Sequence, residues 1–282
     1  MLRIILSAVA LACVGFVLTW YILPPSHDRQ WQDDYAVLPK VRTDRDAVEI
    51  AGVRDWSYDP ATGRPIETPW RTVSLRPDAL DRVWFAVEPF TGSDAVAHTM
   101  LAFEFSDGRA VVASVEARRE VGETYRPALA AVWPSYEYLV VWATERDMYA
   151  NTVFAAEDRL FLYPLRLSDE MARGVFGAMV ALTAEVREDP RWYNTAVANC
   201  TSVLARAMND RRPGAVPLHV SWVLPGLAPE FLYDQGWLPD DLPFDALKAA
   251  AEAMDRVREV YPDAPAAEFP TRLRAAGSAI GA

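Results

Sequence analysis

The sequence contains two cysteines, and one of them stands where thiol chemistry is expected. Cys200 follows Asn199, which is a good helix N-cap residue, and precedes apolar residues at helical spacing. A thiol at a helix N-terminus lies at the positive end of the helix dipole, so its nucleophilic thiolate form is favoured. Because Cys200 also lies on the apolar face of this predicted helix, a buried structural cysteine is the competing interpretation.

A thiol nucleophile needs a base, which is usually a histidine. The chain has three: His27 near the N-terminus, His98 inside a predicted strand, and His219 in an irregular stretch after Cys200. If the Cys200 helix packs its apolar face on a sheet, its first turn points at a strand residue. We therefore predict that His98 is the base, although a lone strand histidine is often structural.

A third group usually orients the histidine. The next predicted strand carries Ser114, Glu116 and Arg118 on one face, because side chains in a strand alternate between faces. Glu116 is the candidate acceptor for the His98 ring N–H, and a salt bridge to Arg118 or Arg119 is the alternative. The Cys200 backbone N–H is the expected oxyanion donor, with a second donor that the sequence does not locate.

The N-terminal segment is predicted to be a membrane anchor over residues 1–25. Ile4 to Leu23 carries no charge, and a helix of this length spans roughly 30 Å. Arg3 precedes the run and the next basic residue is Arg29, which predicts a cytoplasmic N-terminus and an external remainder. A cleaved signal peptide and a lipoprotein signal with a lipid on Cys13 are the alternatives.

Composition limits the class of protein. The 51% hydrophobic content is sufficient for a core, and the net charge of −11 argues against nucleic-acid binding and against a basic lipid-binding surface. With Cys13 in the predicted anchor, Cys200 has no partner for an intramolecular disulfide.

Strand-like stretches fill the first half of the sequence and helical patterns the second half, which predicts an α+β fold. A turn at Ser106–Gly108 predicts a hairpin, and Ser168 and Asn199 are predicted to cap helices that end near Glu188 and Asn209. We expect one domain over 26–243, an irregular Pro-rich connection over 213–243, a helix near 244–260, and an Ala/Pro-rich tail after it. The predicted strands are Ala47–Asp55, Arg71–Leu75, Arg82–Val87, Val96–Phe105, Ala110–Ala117, Tyr138–Thr144 and Leu160–Leu165.

An ordered set of short segments resembles the Lnb-type bacterial lipoprotein N-acyltransferase family. Each segment is weak alone, but together they cover about four fifths of the chain. The resemblance implies a permuted papain-like or NlpC/P60-type domain and assigns the thiol and imidazole to Cys200 and His98. The segments include Asp28–Trp31, Val53–Tyr58, Ala97–Thr99, Ser114–Glu120, Thr144–Asp147, Tyr163–Leu165, Tyr193–Asn194, Asn199–Thr201, Leu224–Gly226 and Leu232–Asp234.

The resemblance implies a ping-pong reaction at the periplasmic face of the bacterial inner membrane, with no cofactor. Cys200 takes an acyl chain from a phospholipid, and the α-amine of a diacylglyceryl-cysteine lipoprotein then accepts it. Arg118 or Arg119 is expected to hold the lipid phosphate, and Glu145 or Asp147 to bind the ammonium group or to orient Arg118. The apolar stretch that begins at Trp222 is expected to contact lipid or to cap the core.

Two other functions use the same features. A membrane-anchored cysteine amidase or peptidase acting on cell-wall peptide would also use Cys200 and His98, with water as the acceptor. A polar cleft beside Cys200 would favour this hydrolase, and an apolar groove would favour a lipid donor. A non-catalytic scaffold with a buried cysteine is the third possibility.

Overall fold

The computed structural model describes residues 24–90 and 92–277, together with the isolated positions 7, 11, 14 and 15. Over these residues the fold is α+β, as predicted. No helix among them is long and apolar enough to cross a membrane. The predicted anchor, including Cys13, lies outside the described residues except for positions 7, 11, 14, 15, 24 and 25.

One large sheet forms the centre of the described part of the chain. The strands are β1 Lys40–Asp44, β2 Ala47–Arg54, β3 Ser57–Tyr58, β4 Pro65–Glu67, β5 Trp70–Leu75, β6 Leu80–Pro89, β7 Ala97–Phe105, β8 Ala110–Arg118, β9 Glu137–Thr144 and β10 Phe161–Pro164. The strands of the large sheet lie in the order β1-β2-β9-β8-β7-β6-β10, with β5 paired to β2, and only the short β2–β9 pairing is parallel. A separate small hairpin joins β3 to β4.

The helices cover both faces of the sheet, because alternate strand residues build two separate cores. The helices are α1 Pro127–Val132, α2 Glu145–Ala150, α3 Asp169–Glu188, α4 Cys200–Arg211, α5 Ala228–Asp234, α6 Phe244–Ala251, α7 Met254–Val260 and α8 Phe269–Ala275. Helices α3 and α4 pack on one face, around residues such as Leu101 and Phe103 of β7. Helices α2, α7 and α8 pack on the other face, around residues such as Met100 and Ala102.

Local capping fixes the start of the two long helices. The Ser168 side chain accepts a hydrogen bond from the Met171 N–H at the start of α3. Asn199 and Ser202 form a reciprocal capping box at the start of α4, so Cys200 is the first helical residue. Both N-termini were predicted correctly, as was the β7–β8 hairpin.

The C-terminal part of the chain differs from the prediction. The single helix expected near 244–260 is divided into α6 and α7, because the Ala253 N–H donates to the Leu160 carbonyl and Glu252 pairs with Phe161 of the edge strand β10. The expected tail contains helix α8, whose Phe269 and Leu273 are fully buried in the second core. Three strands and three short helices have no counterpart in the prediction, namely β1, β3, β4, α1, α2 and α5.

Candidate active site

The start of strand β7 and the start of helix α4 meet at one end of the sheet. The Cys200 sulfur lies 4.0 Å from the Ala97 carbonyl oxygen, and the side chain is only 2% exposed. Next to it, the buried hydroxyl groups of Thr99 and Thr201 form a 2.9 Å hydrogen bond. This bond ties the strand to the first turn of the helix, and it fixes the sulfur beside the second residue of β7, which is His98.

The His98 ring is held by two residues of the adjacent strand β8. Its Nε2 atom lies 2.6 Å from the Ser114 hydroxyl and 2.9 Å from a Glu116 carboxylate oxygen, and Ser114 itself donates to Glu116 over 2.6 Å. This arrangement suits a ring with its proton on Nε2, because both partners accept from that atom. Nδ1 is then the nitrogen left to exchange a proton with the thiol.

The charges of the three residues support one another. Burial acts to lower the pKa of His98, but Glu116 and Cys200 outweigh it and hold that pKa well above its usual value. Burial acts to raise the pKa of Cys200, but His98 and Thr99 outweigh it and leave the thiol pKa lowered. Burial also opposes ionisation of Glu116, but the imidazolium and Ser114 lower its pKa to about 2. An ion pair of thiolate and imidazolium is therefore favoured.

A cavity of about 430 Å³ opens in front of this cluster, and Cys200, His98 and Glu116 all line it. Its wall also contains Tyr125 and Tyr193, whose hydroxyl groups lie 3.5 Å apart. The Cys200 backbone N–H is at the first position of α4, where helix geometry supplies no intrahelical acceptor. This N–H is therefore free to stabilise an oxyanion that develops beside the sulfur.

The family model described as the Lnb N-terminal periplasmic domain matches residues 67–226, which is more than half of the chain. The chain belongs to this family. It is a relative of the Lnb-type lipoprotein N-acyltransferases, and the match includes Cys200, His98 and Glu116. No curated protein and no solved structure matches the chain.

The two arginines predicted to hold a phosphate have different surroundings in this Lnb-family protein. Arg119 lines the cavity, where it lies beside Asp34 and donates to the Tyr35 hydroxyl. Arg118 does not line the cavity. It is buried beneath the segment that leads into β1, where it donates to the Tyr35 and Ala36 carbonyl groups and stacks on Trp31. Of the two, only Arg119 is placed to meet a ligand in the cavity.

The predicted ammonium-binding residues lie outside the cavity. Glu145 is fully buried and pairs with Arg274 of α8, and Tyr149 donates to it. Asp147 is also fully buried, and it accepts hydrogen bonds from the Arg54 side chain and the Trp56 N–H. Because both carboxylates are enclosed by these partners, their placement does not support contact with a substrate.

Trp222 and Thr201 line a second, smaller cavity of about 100 Å³. The wall of this cavity is almost entirely apolar and includes Leu204, Phe231 and Trp237. The Trp222 carbonyl accepts a 2.8 Å hydrogen bond from the Asn199 side chain. The Pro-rich connection therefore packs directly against the start of α4.

The other two histidines have structural partners. His219 accepts a hydrogen bond from the Ser221 N–H, and its ring stacks on Phe231 at 4.4 Å between centroids. His27 Nε2 bonds to the Val186 carbonyl over 2.7 Å. Neither lines the cavity around Cys200, so only His98 stands beside the thiol.

Several residues of the cavity wall were not predicted as site residues. They include Glu88 of β6, Tyr125, Tyr193, and Asn151 and Thr152 of a π-helical turn at Asn151–Ala155. A partial signal for Glu88 was present in the sequence, because it directly follows the strand predicted over Arg82–Val87. The structure extends this strand to Pro89, and its register with β7 places Glu88 opposite His98. The π-helical turn has no comparable sequence signal.

Proposed function

We propose that this protein is a thiol acyltransferase that moves an acyl chain from a phospholipid, through a thioester on Cys200, to the N-terminal α-amine of a diacylglyceryl-cysteine lipoprotein. The observation that carries the proposal is the placement of Cys200, His98 and Glu116 around one cavity in a member of the Lnb family. Membership in this family adds the context of lipoprotein processing.

In the first half-reaction, the Cys200 thiolate attacks the carbonyl carbon of the phospholipid ester. The C–S bond forms and the C–O bond breaks, and the lysophospholipid leaves with a proton from the His98 imidazolium. The Cys200 N–H stabilises the oxyanion of the tetrahedral intermediate. Glu116, whose pKa is lowered to about 2 beside the imidazolium, keeps the ring oriented.

In the second half-reaction, the neutral acceptor amine attacks the thioester. The C–N bond forms, the C–S bond breaks, and neutral His98 takes a proton from the amine as the thiolate leaves. The product is the N-acylated lipoprotein, and the ion pair of Cys200 and His98 is restored. No cofactor is required for either step.

A lipid donor is supported by exposed apolar residues in the two segments that border the cavity. Val223 lines the cavity and is 48% exposed, and Val197 and Val220 are also exposed. Their segments are tied together at Asn199, whose side chain donates to the Thr195 and Trp222 carbonyl groups. The apolar cavity beside Trp222 adds a surface for an acyl chain next to the Cys200 helix.

The proposal includes the permuted papain-like arrangement and the membrane anchor. The histidine strand β7 precedes the cysteine helix α4 in the chain, which is the reverse of the order in papain. An anchor at residues 1–25 would hold the domain at the periplasmic face of the inner membrane, where both substrates are present at high effective concentration. In this arrangement residues 26–243 form the acyltransferase domain and residues 244–282 a C-terminal segment.

The test is intact mass measurement of the full chain in detergent after incubation with a phospholipid. We expect an acyl adduct on Cys200 that hydroxylamine removes and that Cys200→Ala abolishes. Cys13→Ser is the matched control, because it removes the other cysteine and should retain the adduct. An adduct that forms equally in Cys200→Ala would overturn the thioester mechanism.

The charged residues of the cavity favour a second candidate, the cysteine amidase or peptidase. Arg54, Glu88 and Arg119 would suit a polar peptide better than an acyl chain. The two functions differ in the molecule that accepts the acyl group from Cys200, and an experiment that varies this acceptor distinguishes them. An acyltransferase passes the adduct to an added lipopeptide amine, whereas a hydrolase loses it to water at a rate that does not depend on the amine.

A further inference from the structure

A second carboxylate stands beside His98, on the side opposite Glu116. Glu88 of β6 pairs directly with His98 of β7 in the antiparallel register. The β7–β8 register, in which Met100 pairs with Ser114, brings Glu116 level with His98 on its other side. Side chains opposite each other on neighbouring strands lie on one face with Cβ atoms about 4.5–5.5 Å apart. The three side chains therefore form a row, with the imidazole between two carboxylates.

The two carboxylates of this row have different partners. Glu116 contacts the His98 ring and accepts a hydrogen bond from Ser114, so its negative charge is balanced by the imidazolium. Glu88 accepts a 3.0 Å hydrogen bond from the hydroxyl of Thr152, which belongs to the π-helical turn. Among the residues that the structure describes, no lysine or arginine forms an ion pair with Glu88. It therefore faces the cavity with no cationic partner among these residues other than the His98 ring, which it shares with Glu116.

The second half-reaction needs a group that can bind the acceptor ammonium ion and remove a proton from it. An α-amino group has a pKa near 8, so the acceptor arrives mostly as an ammonium ion at neutral pH. The ammonium must lose one proton before attack and a second one during attack. His98 can take only one of them, and Glu116 is held ionised by its partners.

We propose that Glu88 is a second base of the site, which binds the acceptor ammonium group and takes its first proton. This inference rests on the proposed function. In the step, R–NH₃⁺ and the Glu88 carboxylate become R–NH₂ and the carboxylic acid. The amine then forms the C–N bond as the C–S bond breaks, and His98 takes the second proton. The Glu88 proton is afterwards released to water, which restores the carboxylate for the next cycle.

The protonation behaviour of Glu88 agrees with this role. Its withdrawal from water, with smaller effects of Glu116 and Asp158, raises its pKa to about 7, although His98 and Thr152 act in the opposite direction. A carboxylate with a pKa near neutrality accepts a proton from an ammonium group far more readily than an ordinary carboxylate does. The neighbouring Glu116 has a pKa near 2, so the two carboxylates are suited to different tasks.

The experiment separates the two half-reactions in the full chain in detergent. Cys200 is loaded with a short acyl chain from an activated ester, and release of the chain is followed by mass with either a lipopeptide amine or hydroxylamine, which is uncharged at pH 7. For Glu88→Gln we expect loading and hydroxylamine release within about twofold of the wild type, and transfer to the lipopeptide slowed on the order of 100-fold at pH 7.

Two further variants and a pH series complete the test. Thr152→Val removes the 3.0 Å hydrogen bond to Glu88, together with a 3.3 Å bond to the Met148 carbonyl within its own helical turn. It should slow lipopeptide transfer on the order of fivefold. Glu49→Gln, an exposed glutamate of β2, should have no effect. Transfer by the wild type should increase as pH rises through about 7, whereas in Glu88→Gln the increase should follow the acceptor amine itself, near pH 8.

Two outcomes overturn the proposal. Unchanged lipopeptide transfer in Glu88→Gln would mean that Glu88 does not act on the amine. Equal slowing with hydroxylamine would mean that Glu88 only supports the structure of the site. A wild type that is loaded by the activated ester but never by phospholipid would contradict the proposed donor, while the release experiment would still test Glu88.

Discussion

The Nε2 atom of His98 lies 2.9 Å from a Glu116 carboxylate oxygen, and this contact sets the charge state of the cavity. Because the ring is held through Nε2 by Glu116 and Ser114, the opposite nitrogen faces the region of the thiol. The contact therefore links a strand carboxylate to the reactivity of Cys200, although the two residues lie far apart in the sequence.

Removing the Glu116 charge should make the thiol less reactive. Glu116→Gln lowers the pKa of His98, so the imidazolium no longer favours the thiolate and the pKa of Cys200 rises. We expect alkylation of Cys200 by iodoacetamide at pH 7 to slow by about tenfold for each unit by which the thiol pKa rises. Glu120→Gln, in the loop after β8, is the control and should alkylate at the wild-type rate. Equal rates for both variants would contradict the coupling.

His98 should be the only histidine that acylation requires. We expect His98→Ala to reduce formation of the Cys200 adduct by about 10²–10⁴-fold, because the general base is lost. His219→Ala should leave the rate within about twofold. The His219 ring accepts a hydrogen bond from the Ser221 N–H and stacks on Phe231, and neither contact reaches Cys200. If His219→Ala abolished acylation and His98→Ala did not, the papain order of cysteine and histidine would apply.

Glu88 should make the stability of the protein depend on pH. A carboxyl group with a raised folded-state pKa binds its proton more tightly in the folded state, so its contribution to stability declines as pH rises from about 4.3 to about 7. Glu88→Gln removes this effect, so the variant should gain about 1–3 kcal/mol relative to the wild type between pH 4 and pH 8. Urea unfolding at several pH values measures the difference. A difference that is constant with pH would contradict the raised pKa.

The C-terminal helix should be needed for stability. Arg274→Leu leaves the fully buried carboxylate of Glu145 without its cation, which should cost about 3–5 kcal/mol in the free energy of unfolding. Arg272→Leu is the matched control from the same helix. It removes an exposed pair with Glu268 and should cost at most about 1 kcal/mol. Equal effects of the two variants in chemical denaturation would indicate that α8 does not contribute through the buried pair.

Local sequence signals predicted the elements that carry the nucleophile. Asn199 caps α4 through its own neighbours, and the β7–β8 hairpin follows from a short turn between two alternating strands. Where contacts with distant residues decide the structure, the predictions were less successful. Helix 244–260 is interrupted by bonds to the edge strand β10, and the Ala/Pro-rich tail becomes helical because Phe269 and Leu273 enter the second core.

The sequence by itself determined that Cys200 begins a helix and that His98 and Glu116 lie on adjacent strands, because capping and strand periodicity depend only on near neighbours. The tertiary structure decided which charges reach the cavity. Arg118 is covered by the segment around Tyr35, and Glu145 is enclosed by Arg274, so neither reaches it. Glu88 does reach it, because the register of β6 against β7 places it beside His98. These outcomes depend on packing between distant segments.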